Sequence, residues 1–179
     1  MKPSLLLLAA VTLLAGCAAT NAFVRMAPDY TDLPVEDVKA VARSIEAIVA
    51  EGSETFTIES AGGIQTDSPE ILQAVRTRAI RKPLIAEFLD GGFGIEEANG
   101  LIAIQRSSAY KKATTTGQRD REALLVMSEN ANRWTIYEGL LKANNWPPSS
   151  LSAIQAIFFE ARIAHLSDGQ QHEAVPAAE

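Results

Sequence analysis

Apolar residues recur at three- and four-residue steps in several stretches of this chain, which is the spacing of one face of an α-helix. The first stretch begins near Pro34, with Asp32 as the expected N-cap, and ends at Gly52. We expect a core-facing amphipathic helix here, and a partner-binding or membrane-lying helix is the alternative. Its apolar stripe consists of Val35, Val38, Val41, Ala42, Ile45, Ile48 and Val49.

Three further helices are predicted. The second starts at Asp67, which caps it in a capping box with Glu70, and is kinked or broken at Pro83. The longest runs from Asp120 to about Asn144, and Ser149 caps the last. The side chains expected to face inward are Ile71, Leu72, Val75, Ala79 and Ile80, then Leu84, Ile85, Phe88 and Leu89, then Leu124, Met127, Ala131, Trp134, Leu140 and Leu141, then Leu151, Ile154, Ile157, Phe158, Ala161 and Leu166.

Two short segments favour strands. Residues 54–59 alternate polar and apolar side chains, and residues 101–104 form a short apolar run that could pair with them. The polar stretch 111–117 between the second strand and the longest helix is expected to be a loop. The predicted fold is therefore a mainly α domain over residues 32–167, with about four to five helices and at most a minor two-stranded sheet. Residues 168–179 lack a core pattern and are expected to form a flexible tail.

The N-terminus carries a different pattern. Lys2 precedes an apolar run over residues 5–14, which is too short to span a bilayer, and Leu14-Ala15-Gly16-Cys17 follows. This segment resembles a bacterial lipoprotein signal with its lipobox. The resemblance implies that residues 1–16 are removed and that Cys17 is lipidated. Residues 17–31 are expected to form the lipidated N-terminus and a tether, because this short stretch is mixed in composition and lacks periodicity. Ala18 then favours the outer membrane, and an ordinary secretory signal is the alternative.

Composition narrows the function classes. The formal net charge is −6, and loss of Lys2 with the signal would make it −7, so nucleic acid is a poor partner. Cys17 is the only cysteine, so no disulfide forms within the chain. His165 and His172 are seven residues apart, unlike the usual metal-ligand spacing, and no nucleophile motif accompanies them. We therefore expect no metal, no cofactor and no enzymatic activity.

Separated pieces of residues 71–173 resemble the YdbL-like family of bacterial envelope proteins, a domain of unknown function. They are Arg78, the turn over residues 92–96, the segment Gly100-Leu101-Ile102, and the string Glu129-Asn130-Ala131-Asn132-Arg133 followed by Tyr137. The resemblance implies a small accessory protein associated with AsmA-like envelope proteins that handle lipid. It supplies no catalytic residue.

The same string has a physical interpretation of its own. Glu129, Arg133 and Tyr137 follow at four-residue steps and share one helical face, while Asn130 can cross-link a neighbouring loop. Arg133, held by Glu129 or by Glu96, would then fix the long helix against the glycine turn. A pocket for a ligand or a partner at these residues is the alternative to this structural clamp.

The expected function is accordingly that of a lipid-anchored accessory protein that faces the periplasm and assists an AsmA-like complex in lipid or outer-membrane homeostasis. The alternative is a small periplasmic lipoprotein that binds an apolar ligand between the glycine turn and the long helix.

Overall fold

The computed structural model describes residues 27–175. The described chain contains five α-helices, one 3-10 turn and a three-stranded sheet, and helix makes up 60% of the described residues, which confirms the predicted mainly α class. The helices are α1 (Val35–Glu51), α2 (Pro69–Asp90), α3 (Ser108–Ala113), α4 (Thr116–Ala143) and α5 (Leu151–Ile163), and the strands are β1 (Gly94–Glu96), β2 (Ile102–Ile104) and β3 (Gln171–His172). The predicted signal residues 1–16, Cys17 and most of the tether lie outside the described residues. No helix within residues 27–175 is both long and apolar enough to cross a bilayer.

The helix ends depart from the predicted caps at three places. Pro34 occupies the N-cap position of α1 without a side-chain hydrogen bond, so Asp32 is not the cap. Ser68 rather than Asp67 caps α2, because its Oγ accepts a hydrogen bond from the Ile71 amide at 3.3 Å. The helix α5 follows the 3-10 turn Pro148–Ser150, and Ser149 is not its cap. Gly52 does end α1, in the left-handed conformation.

Helix α2 continues through Pro83, so the predicted break is wrong. A proline inside a helix costs about 3 kcal/mol because it removes a backbone donor and crowds the preceding turn. Packing on both sides of it compensates here: Arg78 and Ala79 are buried before Pro83, and Phe88 and Leu89 are buried after it. The second core cluster, formed by Phe88, Leu89 and Ile102, thereby holds the last turns of α2 in helical form.

The loop predicted at 111–117 is partly helical. Ser107 caps the short helix α3 by accepting a hydrogen bond from the Tyr110 amide at 3.0 Å. Helix α4 then begins at Thr116, earlier than predicted, because Thr115 and Gln118 form a capping box.

The sheet also differs from the prediction. Strand β1 pairs antiparallel with β2, with Ile95 opposite Ala103, and β2 lies in the predicted 101–104 strand. Residues 54–59 form no strand: Ile58 is buried against α1, and the Glu59 amide donates to Ser44 Oγ at 3.0 Å instead of to a ladder. The alternation of polar and apolar residues over 54–59 therefore reflects burial of one side of an irregular segment and not pairing in a sheet.

The segment predicted to be a flexible tail contributes the third strand. Strand β3 lies parallel to β1, with Gln171 opposite Ile95 and His172 opposite Glu96. The amide of Glu173 also donates to the Glu96 carbonyl at 2.9 Å. The tail prediction is therefore wrong for residues 171–173, because backbone pairing along an open strand edge does not require an apolar pattern.

The inward face of α4 was predicted incorrectly along its first half. Leu124 and Met127 are 66% and 68% exposed, and Ala131, also expected to face inward, is exposed. On α2, Ile80 and Leu84 are exposed too, at 55% and 56%. Helix α4 instead buries charged positions on its inner face, so the apolar spacing alone pointed to the wrong side. The buried residues of α4 are Glu129, Arg133, Ile136, Tyr137 and Leu140.

The main core lies between α1, α2, α4 and α5. Ile71, near the start of α2, lies beside Gly139, near the end of α4, and Arg78, further along α2, contacts Glu129, which comes earlier in α4. The two helices therefore run in opposite directions. A Cβ at Gly139 would lie 2.7 Å from Ile71 Cγ1, so a glycine there permits the close approach of the two helices. This approach brings the middle of α4 against the middle of α2.

Gly100 requires glycine for two separable reasons. Its φ is +78°, and a Cβ would lie 2.9 Å from the Gln155 carbonyl oxygen and 3.0 Å from Tyr137 Oη. Gly63 has nearly the same φ, +76°, but no atom within 4 Å of its added Cβ. Gly100→Ala should lower the free energy of unfolding by more than Gly63→Ala, which should lower it by only about 1–2 kcal/mol for the left-handed backbone. Urea unfolding measures both, and equal losses would contradict the crowding at Gly100.

Candidate functional site

Six charged side chains lie buried together where α1, α2, α4, α5 and β1 meet. We call this set the Arg–Glu ring. Each of its members is at most 6% exposed. Isolated charges are costly to bury, so such a cluster is tolerated only when every charge has a partner of opposite sign. The members are Glu46, Arg78, Glu96, Glu129, Arg133 and Arg162.

Arg78 joins the first two helices to α4. Its Nη1 and Nη2 donate to the two oxygens of Glu46 on α1, at 3.0 and 2.9 Å. Its Nε donates to Glu129 Oε1 on α4 at 2.8 Å. The guanidinium fork thus binds one carboxylate in bidentate fashion and a second carboxylate with its remaining edge.

Arg133 joins α4 to the sheet in the same manner. Its Nη1 and Nη2 donate to Glu96 Oε2 and Oε1 on β1, at 2.7 and 2.9 Å. Its Nε donates to Glu129 Oε1, one helical turn earlier, at 2.9 Å. The long helix is therefore held against the glycine turn through Glu96, while Glu129, on the same helix as Arg133, orients the guanidinium.

Arg162 on α5 closes the ring. Its Nη2 donates to Glu46 Oε1 at 3.0 Å, and its Nη1 donates to Glu96 Oε2 at 3.2 Å. Each arginine therefore contacts two glutamates and each glutamate contacts two arginines. Three positive and three negative charges alternate around the ring, and their sum is zero.

Uncharged groups extend the ring toward the glycine turn. The Gly100 carbonyl accepts hydrogen bonds from Tyr137 Oη at 2.7 Å and from Arg162 Nη1 at 3.1 Å. Tyr137 Oη in turn accepts from Arg162 Nη2 at 2.9 Å. Asn130 binds both backbone groups of Ile102, at 3.0 and 2.9 Å, and so fixes β2 to α4.

The arginines keep the buried acids ionised. Burial by itself would raise the pKa of Glu129, but Arg78 and Arg133 outweigh it and lower that pKa to about 2. Burial would also raise the pKa of Glu46 and of Glu96. The neighbouring arginines outweigh this effect, so both pKa values are lowered. Such carboxylates are poor proton donors or acceptors near neutral pH, because catalytic acids and bases need a pKa close to the working pH.

A cavity of about 220 Å³ opens beside the ring. All six ring members line it, with apolar walls from Val49, Ile85, Leu89 and Leu166. Its rim includes Lys82, Asp90 and His165, which are exposed to solvent. The arrangement combines charged groups that are already paired with an apolar lining, which is suited to binding rather than to proton transfer.

The structure brings together all five residues named from the sequence as a clamp or interaction site: Glu96, Glu129, Asn130, Arg133 and Tyr137. Glu129, Arg133 and Tyr137 are at most 2% exposed, so a protein partner cannot reach them directly.

Sequence reasoning missed the ring roles of Glu46 and Arg162. Their signal is positional: each lies on the apolar stripe of its own helix, where a charge requires a buried counterion.

The histidines do not join the site as ligands. His165 lies at the cavity rim, and His172 packs its ring edge-on to Phe159 with centroids 6.3 Å apart. Within residues 27–175, no three histidine, cysteine, aspartate or glutamate side chains are grouped as metal ligands.

Comparison of this chain with protein-family models, with curated proteins and with solved structures gives no match. The resemblance to the YdbL-like family stays a prediction from the sequence.

The Arg–Glu ring predicts a strong coupling at Arg133. Arg133→Ala leaves Glu96 and Glu129 each short of one buried partner, and broken buried pairs typically lose about 3–5 kcal/mol of unfolding free energy. Arg121→Ala is the matched control, because Arg121 is exposed on the same helix. Urea unfolding of Arg133→Ala, Glu96→Ala and the double variant measures the coupling. Small, additive effects would contradict a structural role of the pair.

The lowered pKa of Glu129 predicts acid destabilisation. A carboxyl with a pKa of 4.5 when unfolded and about 2 when folded binds protons more readily in the unfolded state. Stability from this group is therefore complete above about pH 5 and is lost as the pH falls toward 2. Unfolding free energies measured between pH 2 and 7 should fall in this window, and the slope should be shallower for Glu129→Gln. An identical slope in that variant would show that other groups cause the loss.

Proposed function

We propose that this protein is a lipid-anchored accessory protein of the bacterial envelope, facing the periplasm from the outer membrane and assisting an AsmA-like complex in lipid or outer-membrane homeostasis. The observation that carries the proposal is the sequence Leu14-Ala15-Gly16-Cys17 after a short apolar run. Acyl chains on Cys17 would hold the domain at the membrane, since more than one chain gives durable anchoring.

The Arg–Glu ring supports an accessory role for the domain. It ties four helices and one strand into a single arrangement, and its acids are held ionised rather than poised to exchange protons. A fixed arrangement of helices is what a docking module needs in order to present one constant surface to a partner.

An exposed apolar surface supports a protein partner. Leu124 and Met127 on α4 are two-thirds exposed, and Ile80 and Leu84 on α2 are more than half exposed. Leu124 and Met127 are three residues apart and share one face of α4, and Ile80 and Leu84 are four residues apart and share one face of α2. Large exposed apolar side chains that lie near one another are typical of interaction sites. We call these two pairs, Ile80 with Leu84 and Leu124 with Met127, the α2–α4 apolar surface.

The alternative function, binding of a small ligand, is favoured by a separate observation, the cavity beside the Arg–Glu ring.

Anchoring and partner binding are tested together on the full chain in a bacterial host. Metabolic labelling with a fatty-acid analogue should label the wild-type chain and should not label Cys17→Ala, because no other thiol exists. Continued labelling of Cys17→Ala would contradict the lipobox interpretation.

Partner binding is tested by cross-linking and identification of the captured protein. The wild-type chain should capture an AsmA-like protein, and Leu124→Ser/Met127→Ser should lose about 90% of that capture while retaining its stability, because exposed positions contribute little to stability. Lys142→Ser, exposed on the same helix, is the control and should capture normally. Capture of unrelated proteins alone, or equal capture by the double variant, would contradict the proposal.

A further inference from the structure

The cavity beside the Arg–Glu ring contains one hydrogen-bond acceptor that the fold does not use. Glu129 Oε1 accepts from both Arg78 and Arg133, at 2.8 and 2.9 Å. Among the described residues, no donor reaches Glu129 Oε2, although this side chain is only 2% exposed and lines the cavity. A buried acceptor without a donor costs about 1–3 kcal/mol, or more when it is charged, so a donor supplied from the cavity would be stabilised there.

The charge balance of the ring restricts what that donor can be. Three arginines and three glutamates already cancel, so a cationic donor would bring a buried charge without a counterion. An anionic ligand would bring a buried negative charge without a counterion and would face the Glu129 carboxylate directly. A neutral hydroxyl group satisfies the acceptor without changing the net charge.

The walls of the cavity specify the rest of the ligand. Val49, Ile85, Leu89 and Leu166 provide apolar surface, while the exposed rim carries Lys82 and Asp90, of opposite charge. A cavity of about 150 Å³ holds a benzene molecule, so one of about 220 Å³ accommodates roughly eight or nine non-hydrogen atoms.

We infer that the cavity beside the Arg–Glu ring is a binding site for a small neutral amphiphile, whose hydroxyl donates to Glu129 Oε2 and whose short apolar chain lies on Val49, Ile85, Leu89 and Leu166. This names the ligand class of the alternative function. It depends neither on the envelope partner nor on the α2–α4 apolar surface, so loss of partner capture leaves it intact.

The probe is 1,2-hexanediol, a water-soluble neutral amphiphile of the required size. The lipidated full chain in phospholipid nanodiscs is titrated, and binding is followed by saturation-transfer NMR with empty nanodiscs as the blank. Hexylammonium and hexanoate serve as charged comparators. The diol should bind at least about tenfold more tightly than either ion. Diol binding no stronger than to empty nanodiscs, which would mean that water alone occupies the cavity, would overturn the inference, and so would tighter binding of either ion.

Two alanines of α1 provide a matched pair of variants. Ala50 lines the cavity, whereas Ala47, one turn earlier, lies on other surfaces of the helix. Ala50→Leu narrows the cavity without replacing a ring residue and should weaken diol binding about tenfold or more, while Ala47→Leu should stay within about twofold of the wild type. Equal effects of the two variants would overturn the location of the site.

Glu129→Gln tests the assigned hydrogen bond. Hydrogen bonds to charged groups contribute about 1.5–3 kcal/mol, so the variant should lose about tenfold or more in diol affinity. Circular dichroism verifies that it folds, and unchanged affinity in a folded variant would overturn the assigned contact. If the variant does not fold, the Ala50→Leu and Ala47→Leu pair decides.

Discussion

The fold depends on the mutual neutralisation of three buried arginines by three buried glutamates. None of these charges is tolerable in the interior alone, because transfer of an ion out of water costs several kcal/mol even after the protein relaxes. The ring draws its members from α1, α2, β1, α4 and α5, so these elements must all be in place before the charges are satisfied. The apolar core supplies most of the free energy of burial, and the ring specifies which arrangement of the helices is accepted.

This specificity has a stability cost. Apolar side chains of similar volume often stabilise a protein more than a buried ion network does. In return, each guanidinium fork fixes direction as well as distance: Arg78 and Arg133 each bind one carboxylate bidentately and a second through Nε. Gly100 and Tyr137 also help to fix the position of Arg162, since the Gly100 carbonyl accepts hydrogen bonds from both Tyr137 and Arg162.

The sequence was sufficient for the helical class and for the stripes of α1 and α5, because these helices bury regular apolar faces such as Val38, Val41 and Ile45. It was insufficient for α4, whose inward positions include Glu129 and Arg133, so that apolar spacing selected Leu124 and Met127 instead. Helical spacing brought Glu129 and Arg133 together, and the glycine turn suggested Glu96. Glu46 and Arg162 were missed because contacts between residues 116 positions apart leave no local pattern. The third strand was missed for a related reason, since β3 pairs through its backbone and needs no apolar alternation.

The order of the ring members along the chain has a consequence for how the protein can fold. The first partner of Glu46, Arg78, lies 32 residues after it in the chain, but its second partner, Arg162, lies 116 residues after it. In a chain that emerges from a ribosome or through a membrane N-terminus first, α1 and α2 can associate early, while Glu46 of α1 and Glu96 of β1 each lack one arginine until α5 appears. The ring closes only when α5 has emerged, so completion of the fold is a late, long-range event rather than a stepwise one. A chain truncated before α5 would therefore retain its helical segments but expose charged groups in place of a closed interior.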